Sequence, residues 1–175
     1  DRHRMRALQT ELASAGIRWM PLRYHKRPAV LSTAVDVFIG VVVAWRIVRQ
    51  AHIDVVHARS YVPALMAWIL KRVSKTSMVF DMRGFWADER IEGGLWAAGG
   101  LLYRLTKRFE RIFLREADAI VTLTERAKQT VQHWLGAAAP PITVIPTCVD
   151  LARFLPSTSA SSPLPAPVFV YTGSV

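Results

Sequence analysis

Apolar residues along this chain fall into two spacings, helical and continuous, and the two alternate. Residues 3–15 carry Met5, Leu8 and Leu12 on one helical face, and Gly16 stands where that helix would end. "IRWMPL" (17–22) reads as a short strand, and residues 33–51 as a long apolar helix. "IDVVHA" (53–58) is a strand, and "SYVPALMAWILKRV" (60–73) a helix with Ser60 at its N-cap and Pro63 in its first turn. "SMVFD" (77–81) is the next strand. A loop with glycine pairs at 93–94 and 99–100 leads into a long helix, about 101–116. "DAIVTLT" (118–124) is a strand, "ERAKQTVQHWL" (125–135) a helix, and "ITVIP" (142–146) a strand.

The strands are unbroken apolar runs. A strand reads this way when neither side of its pleat meets water. With helices between them, the pattern predicts an α/β fold, a Rossmann-like parallel sheet flanked by helices on both faces. The expected organisation is one domain over 1–155 whose first strand is missing, because the chain opens inside a helix. "PSTSASSPLPAP" (156–167) then reads as a Ser/Pro-rich linker. "VFVYTGS" (168–174) reads as the opening strand of a second domain, so the chain is expected to be a piece of a longer protein.

Composition narrows the class. Apolar residues make up 51%, which excludes a disordered chain. The most apolar stretch, "VFIGVVVAW" (37–45), is bracketed by Asp36 and Arg46 and is far shorter than the ~20 residues a bilayer requires. It reads as a buried helix. Residues 1–16 are polar and charged and do not read as a secretory signal. Cys148 is the single cysteine, which excludes an internal disulfide and suits a reducing, cytoplasmic setting. The net charge of +10 bears on partners such as phosphates or anionic membrane rather than on fold.

Ligands of an open parallel sheet bind beyond the carboxyl ends of its strands. Those ends carry His57, Arg59 and Ser60; then Asp81, Arg83, Phe85 and Trp86; then Thr122, Thr124 and Glu125; then Pro146, Thr147 and Asp150. Asp81 can accept a hydrogen bond from a hydroxyl, and Phe85 and Trp86 offer faces that stack on a sugar ring or pack on a lipid tail. The competing reading pairs Asp81 with Arg83 or Arg59 and packs Trp86 beneath the loop. Ser60 and Thr124 have a helix cap as theirs.

Arg104, Lys107, Arg108, Arg111 and Arg115 recur at helical spacing as a basic stripe, opposite an apolar side of Leu102, Leu105, Phe109, Ile112 and Phe113. The stripe fits either a solvated face or anionic lipid headgroups. Nucleic acid is not expected, since no binding motif accompanies the charge. The chain has no G-x-G-x-x-G, no P-loop and no Cys/His cluster of zinc spacing.

"DVVHARSYVPA", "VFDMRGFWADER", "LYRLTKRFERIFLREADAIVTLTE", "ITVIPTCVD" and "VYTGS" occur in the order and at the spacings of family 4 glycosyltransferases, and the chain resembles that family from residue 1 to 175. "DMRGFW" resembles the branch acting on bacterial surface or cell-wall glycans. The resemblance implies a GT-B enzyme of two Rossmann-like domains with a cleft between them. It implies retention of anomeric configuration, a nucleotide-sugar as co-substrate, and no metal or other cofactor. This chain corresponds to the N-terminal acceptor domain, with 168–175 starting the donor domain, and is expected to be inactive alone. Asp81 is then the candidate catalytic residue, and His57, Arg59, Ser60, Arg83, Trp86, Thr124 and Glu125 the candidates for acceptor or substrate binding. Many members carry a histidine where this chain has Asp81. An aspartate can accept a hydroxyl's hydrogen bond but lacks a neutral imidazole's donor. Implied partners are a glycan or lipid-linked acceptor and an anionic membrane surface at the inner face. The alternatives are a GT-B-like epimerase or phosphorylase, and a non-catalytic basic peripheral-membrane module.

Overall fold

The computed structural model describes residues 2–22, 25 and 29–149. Four strands, β1 (Val55–Arg59), β2 (Ser77–Met82), β3 (Ala119–Thr122) and β4 (Ile142–Val144), form one parallel sheet in the order β1-β2-β3-β4. Helices α1 (Arg2–Ser14) and α2 (Ala29–Ala51) precede it. Helix α3 (Tyr61–Ser74) joins β1 to β2, α4 (Trp86–Glu92) and α5 (Leu101–Glu116) join β2 to β3, and α6 (Glu125–Leu135) joins β3 to β4. This is the Rossmann-like α/β arrangement.

Spatial order equals chain order, and right-handed crossovers then place every connecting helix on the same side of the sheet. Burial follows that geometry. Ala58, Met78, Phe80, Met82 and Ile120 are at most 2% exposed. They pack with Tyr61, Ala64 and Ala67 of α3, Phe113 and Leu114 of α5, and Val131 of α6. Register sets Ala58 beside Phe80 and Phe80 beside Ile120, so these side chains share one face. Each large apolar side chain buried there contributes about 1.5–3 kcal/mol.

The other face differs from the expectation of cover on both sides. Val55 is 53% exposed, His57 and Thr143 are exposed, and Val79 and Val121 are half-buried. Among the described residues the connecting helices cover one face only. Covering the second would require the chain to wind back past β1. The expected strand at 17–22 does not form. A strand needs a ladder neighbour, and Pro21 has no N–H to give one. The expected linker at 156–167 and strand at 168–174, with Asp150, lie outside the described residues.

Helix α2 is not the buried helix its composition suggests. Phe38, Val35 and Ile39 are 68%, 51% and 40% exposed, while Ser32, Gly40 and Val48 are buried. It packs on α3, with Met66 seated against Gly40, where a Cβ would lie 2.5 Å from Met66 Cε. An all-round apolar helix with one helical neighbour leaves its remaining faces in water. Among the described residues no helix is long and apolar enough to cross a membrane.

Candidate functional site

The stretch from Val79 to Arg90 divides into side chains committed to the fold and side chains left free. Trp86 belongs to the first kind. Its ring lies 5.7 Å from Tyr61 and 5.1 Å from Trp96, and the Arg90 guanidinium sits over it at 5.1 Å. Asp88 accepts from Tyr103 Oη at 3.0 Å and from Lys107 Nζ at 2.9 Å. Lys107 Nζ also lies 2.5 Å from Glu110 Oε1, and the Tyr61 hydroxyl donates to the other oxygen of Glu110. Glu110 is fully buried. Burial and then the Glu110 charge push the Tyr61 phenol far above its usual range. Burial opposes the Lys107 charge, but its bonds to Glu110 and Asp88 outweigh burial and raise its pKa. This network ties α3, α4 and α5 together and fixes the loop after β2.

Asp81 is of the second kind. It is 9% exposed, and neither carboxylate oxygen accepts a hydrogen bond from any described residue. Its Oδ2 is 3.5 Å from His57 Nε2 and 3.7 Å from Arg59 Nε, ion-pair distances beyond good hydrogen-bond length. The expected partner Arg59 is thus present, His57 joins it, and Arg83 points elsewhere. Register explains the grouping, because Arg59 pairs with Asp81 and Asp81 with Val121 on the open face.

Two cavities meet along this edge. One, of about 330 Å³, is lined by His57, Arg59, Asp81, Val121, Leu123 and the segment from Ile145 to Cys148. The second, of about 450 Å³, lies between α4 and α6, with Arg83, Phe85, Glu89, Glu92, Arg126 and Trp134 in its wall, and shares Leu123 with the first. Thr124 also lines the second, although its hydroxyl is occupied as the α6 cap, accepting from Ala127 N at 3.1 Å. Ser60, Trp86 and Glu125 line neither.

Ser60 precedes α3 but does not cap it with its side chain. Its φ of 75° and ψ of 174° fall where glycine is normally required, while its N–H donates to the Asp81 carbonyl at 3.0 Å. The backbone at the exit of β1 is therefore strained to hold it beside the exit of β2.

The sequence pattern missed Glu89, Glu92, Arg126 and Trp134. The signal was there in the spacing of Ala127, Thr130 and Trp134, which face the cavity from one side of α6. The basic stripe on α5 is also revised. Lys107 is drawn inward and its side chain is only 15% exposed, whereas Arg104, Arg108, Arg111 and Arg115 are exposed and form no ion pair with a described residue. They line a groove of about 620 Å³. Leu102 and Leu105, expected on the core side, are 59% and 48% exposed. Among the described residues no three His, Cys, Asp or Glu side chains gather closely enough to hold a metal ion.

Comparison with known proteins bears on this edge of the sheet. A search of the curated proteins returned no match. The family model described as Glycosyltransferase Family 4 matches residues 7–153, which takes in all four strands and both cavities. The chain belongs to the family 4 glycosyltransferases.

Proposed function

We propose that residues 1–155 form the acceptor-side domain of a retaining glycosyltransferase. In this reading 156–167 link it to a nucleotide-sugar-binding domain that opens at 168–175. The enzyme moves a sugar from a nucleotide-sugar to a hydroxyl of a glycan or lipid-linked acceptor of the cell envelope. The observation that carries this is Asp81, a carboxylate whose side chain is only 12% exposed and which accepts no hydrogen bond from a described residue, bordering a cavity at the carboxyl edge of the sheet. An unsatisfied buried acceptor costs about 1–3 kcal/mol, which a substrate hydroxyl recovers by donating to it. A carboxylate turns readily about its last torsion, so either oxygen can be presented.

The chemistry follows from those groups. The acceptor hydroxyl attacks the anomeric carbon of the donor. The bond from that carbon to the diphosphate oxygen breaks, and the new glycosidic bond forms on the same face. The hydroxyl proton passes to the departing diphosphate. Asp81 orients the hydroxyl, and the Arg59 and His57 side chains beside it supply donors to the developing negative charge. No resident metal or other cofactor enters this scheme. Arg104, Arg108, Arg111 and Arg115 favour a working place at the inner face of an anionic membrane, where such cations meet lipid phosphates.

The test is turnover by the full-length protein against a panel of nucleotide-sugars and lipid-linked acceptors, with the anomeric configuration of the product read by NMR. A retained glycoside is the expected product. An epimerised nucleotide-sugar, or a sugar phosphate formed with inorganic phosphate, would replace transfer with the epimerase or phosphorylase reading.

A further inference from the structure

The geometry points to a saccharide subsite in the cavity between α4 and α6, built for a neutral, polyhydroxylated sugar unit. Resting on the transferase reading, this makes the acceptor itself a glycan. Its reactive hydroxyl reaches Asp81 while the adjoining sugar lies against α4 and α6.

Four charged side chains at this cavity are uncommitted. Arg83, Glu89, Glu92 and Arg126 are all exposed, and none lies within 4.0 Å of an opposite charge among the described residues. A third carboxylate in the wall, Asp88, is taken up by Lys107, whereas these two cations and two carboxylates do not pair with one another. Their charges cancel, so the cavity selects neither an anion nor a cation. Each sugar hydroxyl both donates and accepts, and a rim of free guanidiniums and free carboxylates meets both needs with charge-assisted bonds. The α5 groove makes the contrast, since its free charges are all positive and suit phosphate.

The apolar part of the wall fits the same ligand. The rings of Phe85 and Trp134 meet edge to face at 5.2 Å, and Trp134 remains 42% exposed. Lys107 Nζ sits 4.7 Å from the centre of the Trp134 ring and is itself held by Asp88 and Glu110. The ring is thereby pinned on one side and open on the other, a preformed platform for the C–H face of a pyranose. The Glu89 carboxylate lies against Gly84, where no side chain intervenes. The volume, about 450 Å³, lies in the range of small-ligand sites. Leu123 borders both cavities, so a sugar seated here is next to the one that holds Asp81.

The experiment is saturation-transfer NMR on the full-length protein with neutral di- and trisaccharides of glucose, galactose, mannose and N-acetylglucosamine. At least one should receive saturation. Glu89→Gln with Glu92→Gln, and separately Arg126→Gln, should weaken its binding about tenfold or more. All three side chains are exposed, so the fold should be untouched; circular dichroism checks this. Inorganic phosphate should not displace the sugar. No saturation of any saccharide, unchanged affinity in the variants, or displacement by phosphate would each overturn the subsite. Nucleotide-sugar turnover on the same samples separates the two readings. Turnover without saccharide binding defeats the subsite and keeps the transferase; variant-sensitive saccharide binding without turnover upholds the subsite and counts against the transferase.

Discussion

Asp88 and Glu89 stand side by side in α4 and border the same cavity, but Asp88 is tied into the network under the helix and Glu89 is left on the rim. Asp88 faces Lys107 and Tyr103 at hydrogen-bond distance, and through Lys107 it is coupled to Glu110 and Tyr61. Glu89 has no such partner. In the network, removing one member strands an opposite charge out of reach of water, so the penalty appears as stability. On the rim, water replaces the lost partner and any penalty appears as function. One type of residue in one turn of helix thus carries two opposite mutational signatures.

The sharpest test of this division is Glu110→Ala. It leaves Lys107 with half its compensation and the Tyr61 hydroxyl with only the Gly84 carbonyl, 3.2 Å away. The expected loss is about 3–5 kcal/mol of stability in chemical denaturation. Glu89→Gln should stay within about 0.5 kcal/mol of the wild type. Similar losses for the two would erase the division.

The same contrast runs along α5. Reversing Arg104, Arg108 and Arg111 to Glu should weaken partitioning onto phosphatidylglycerol vesicles by about 3 kcal/mol, at about 1 kcal/mol per residue. The effect should fade as salt is raised. Lys107→Met should lower stability and leave vesicle binding alone. Equal partitioning of wild type and triple reversal would end the membrane assignment of this helix.

Asp81→Asn, in the full-length enzyme, keeps the shape and removes the charge. Turnover should fall ~10²-fold with little change in melting temperature. Unchanged kcat with a clear loss of stability would move Asp81 to the committed group. Ser60→Gly should add about 1 kcal/mol, because glycine adopts the observed φ without strain, whereas Ser60→Ala should not. Melting temperatures of the two variants decide whether the backbone or the hydroxyl matters there.

Asp118 supplies the smallest effect. The Lys71 ammonium at 2.7 Å, then the Met78 N–H at 2.7 Å, hold its carboxyl below the usual carboxylate range. A lowered folded-state pKa stabilises above the unfolded value of about 3.8 and is lost as pH falls through the lower folded value. With the side chain 44% exposed, the gain is modest. Asp118→Asn should therefore lower the melting temperature slightly at pH 7 and converge on the wild type in acid. A constant gap down to about pH 2 would assign the effect to packing instead.

Helices α5 and α6 were legible to the residue, because both are amphipathic and bounded by clear signals, Gly100 before one and the Thr124 cap before the other. The strands were legible as apolar runs, and Arg59, Asp81 and Arg83 do fall at or just beyond strand ends, whereas His57 lies in the middle of β1. What pattern could not supply was direction. Lys107 shares its helical face with Arg104, Arg108 and Arg111 in the sequence, yet Asp88 and Glu110 turn its ammonium inward. Trp134 was hidden for a similar reason, since its exposed ring gains a site only from Phe85, which lies 49 residues earlier. The strand expected at 17–22 failed because apolar content describes a side chain's preference and says nothing of whether a ladder partner exists.

The coincidence of chain order and spatial order in the sheet also has a kinetic meaning. When β2 forms, the strand it pairs with has already been made, and the same is true for β3 and β4. Among the described strands only β1 waits for a later segment, and the units that follow close on a ladder already begun. Loop closure is thus met in short instalments rather than one long search. A nascent chain can build this sheet strand by strand as synthesis proceeds, with little time for its apolar edges to meet another chain.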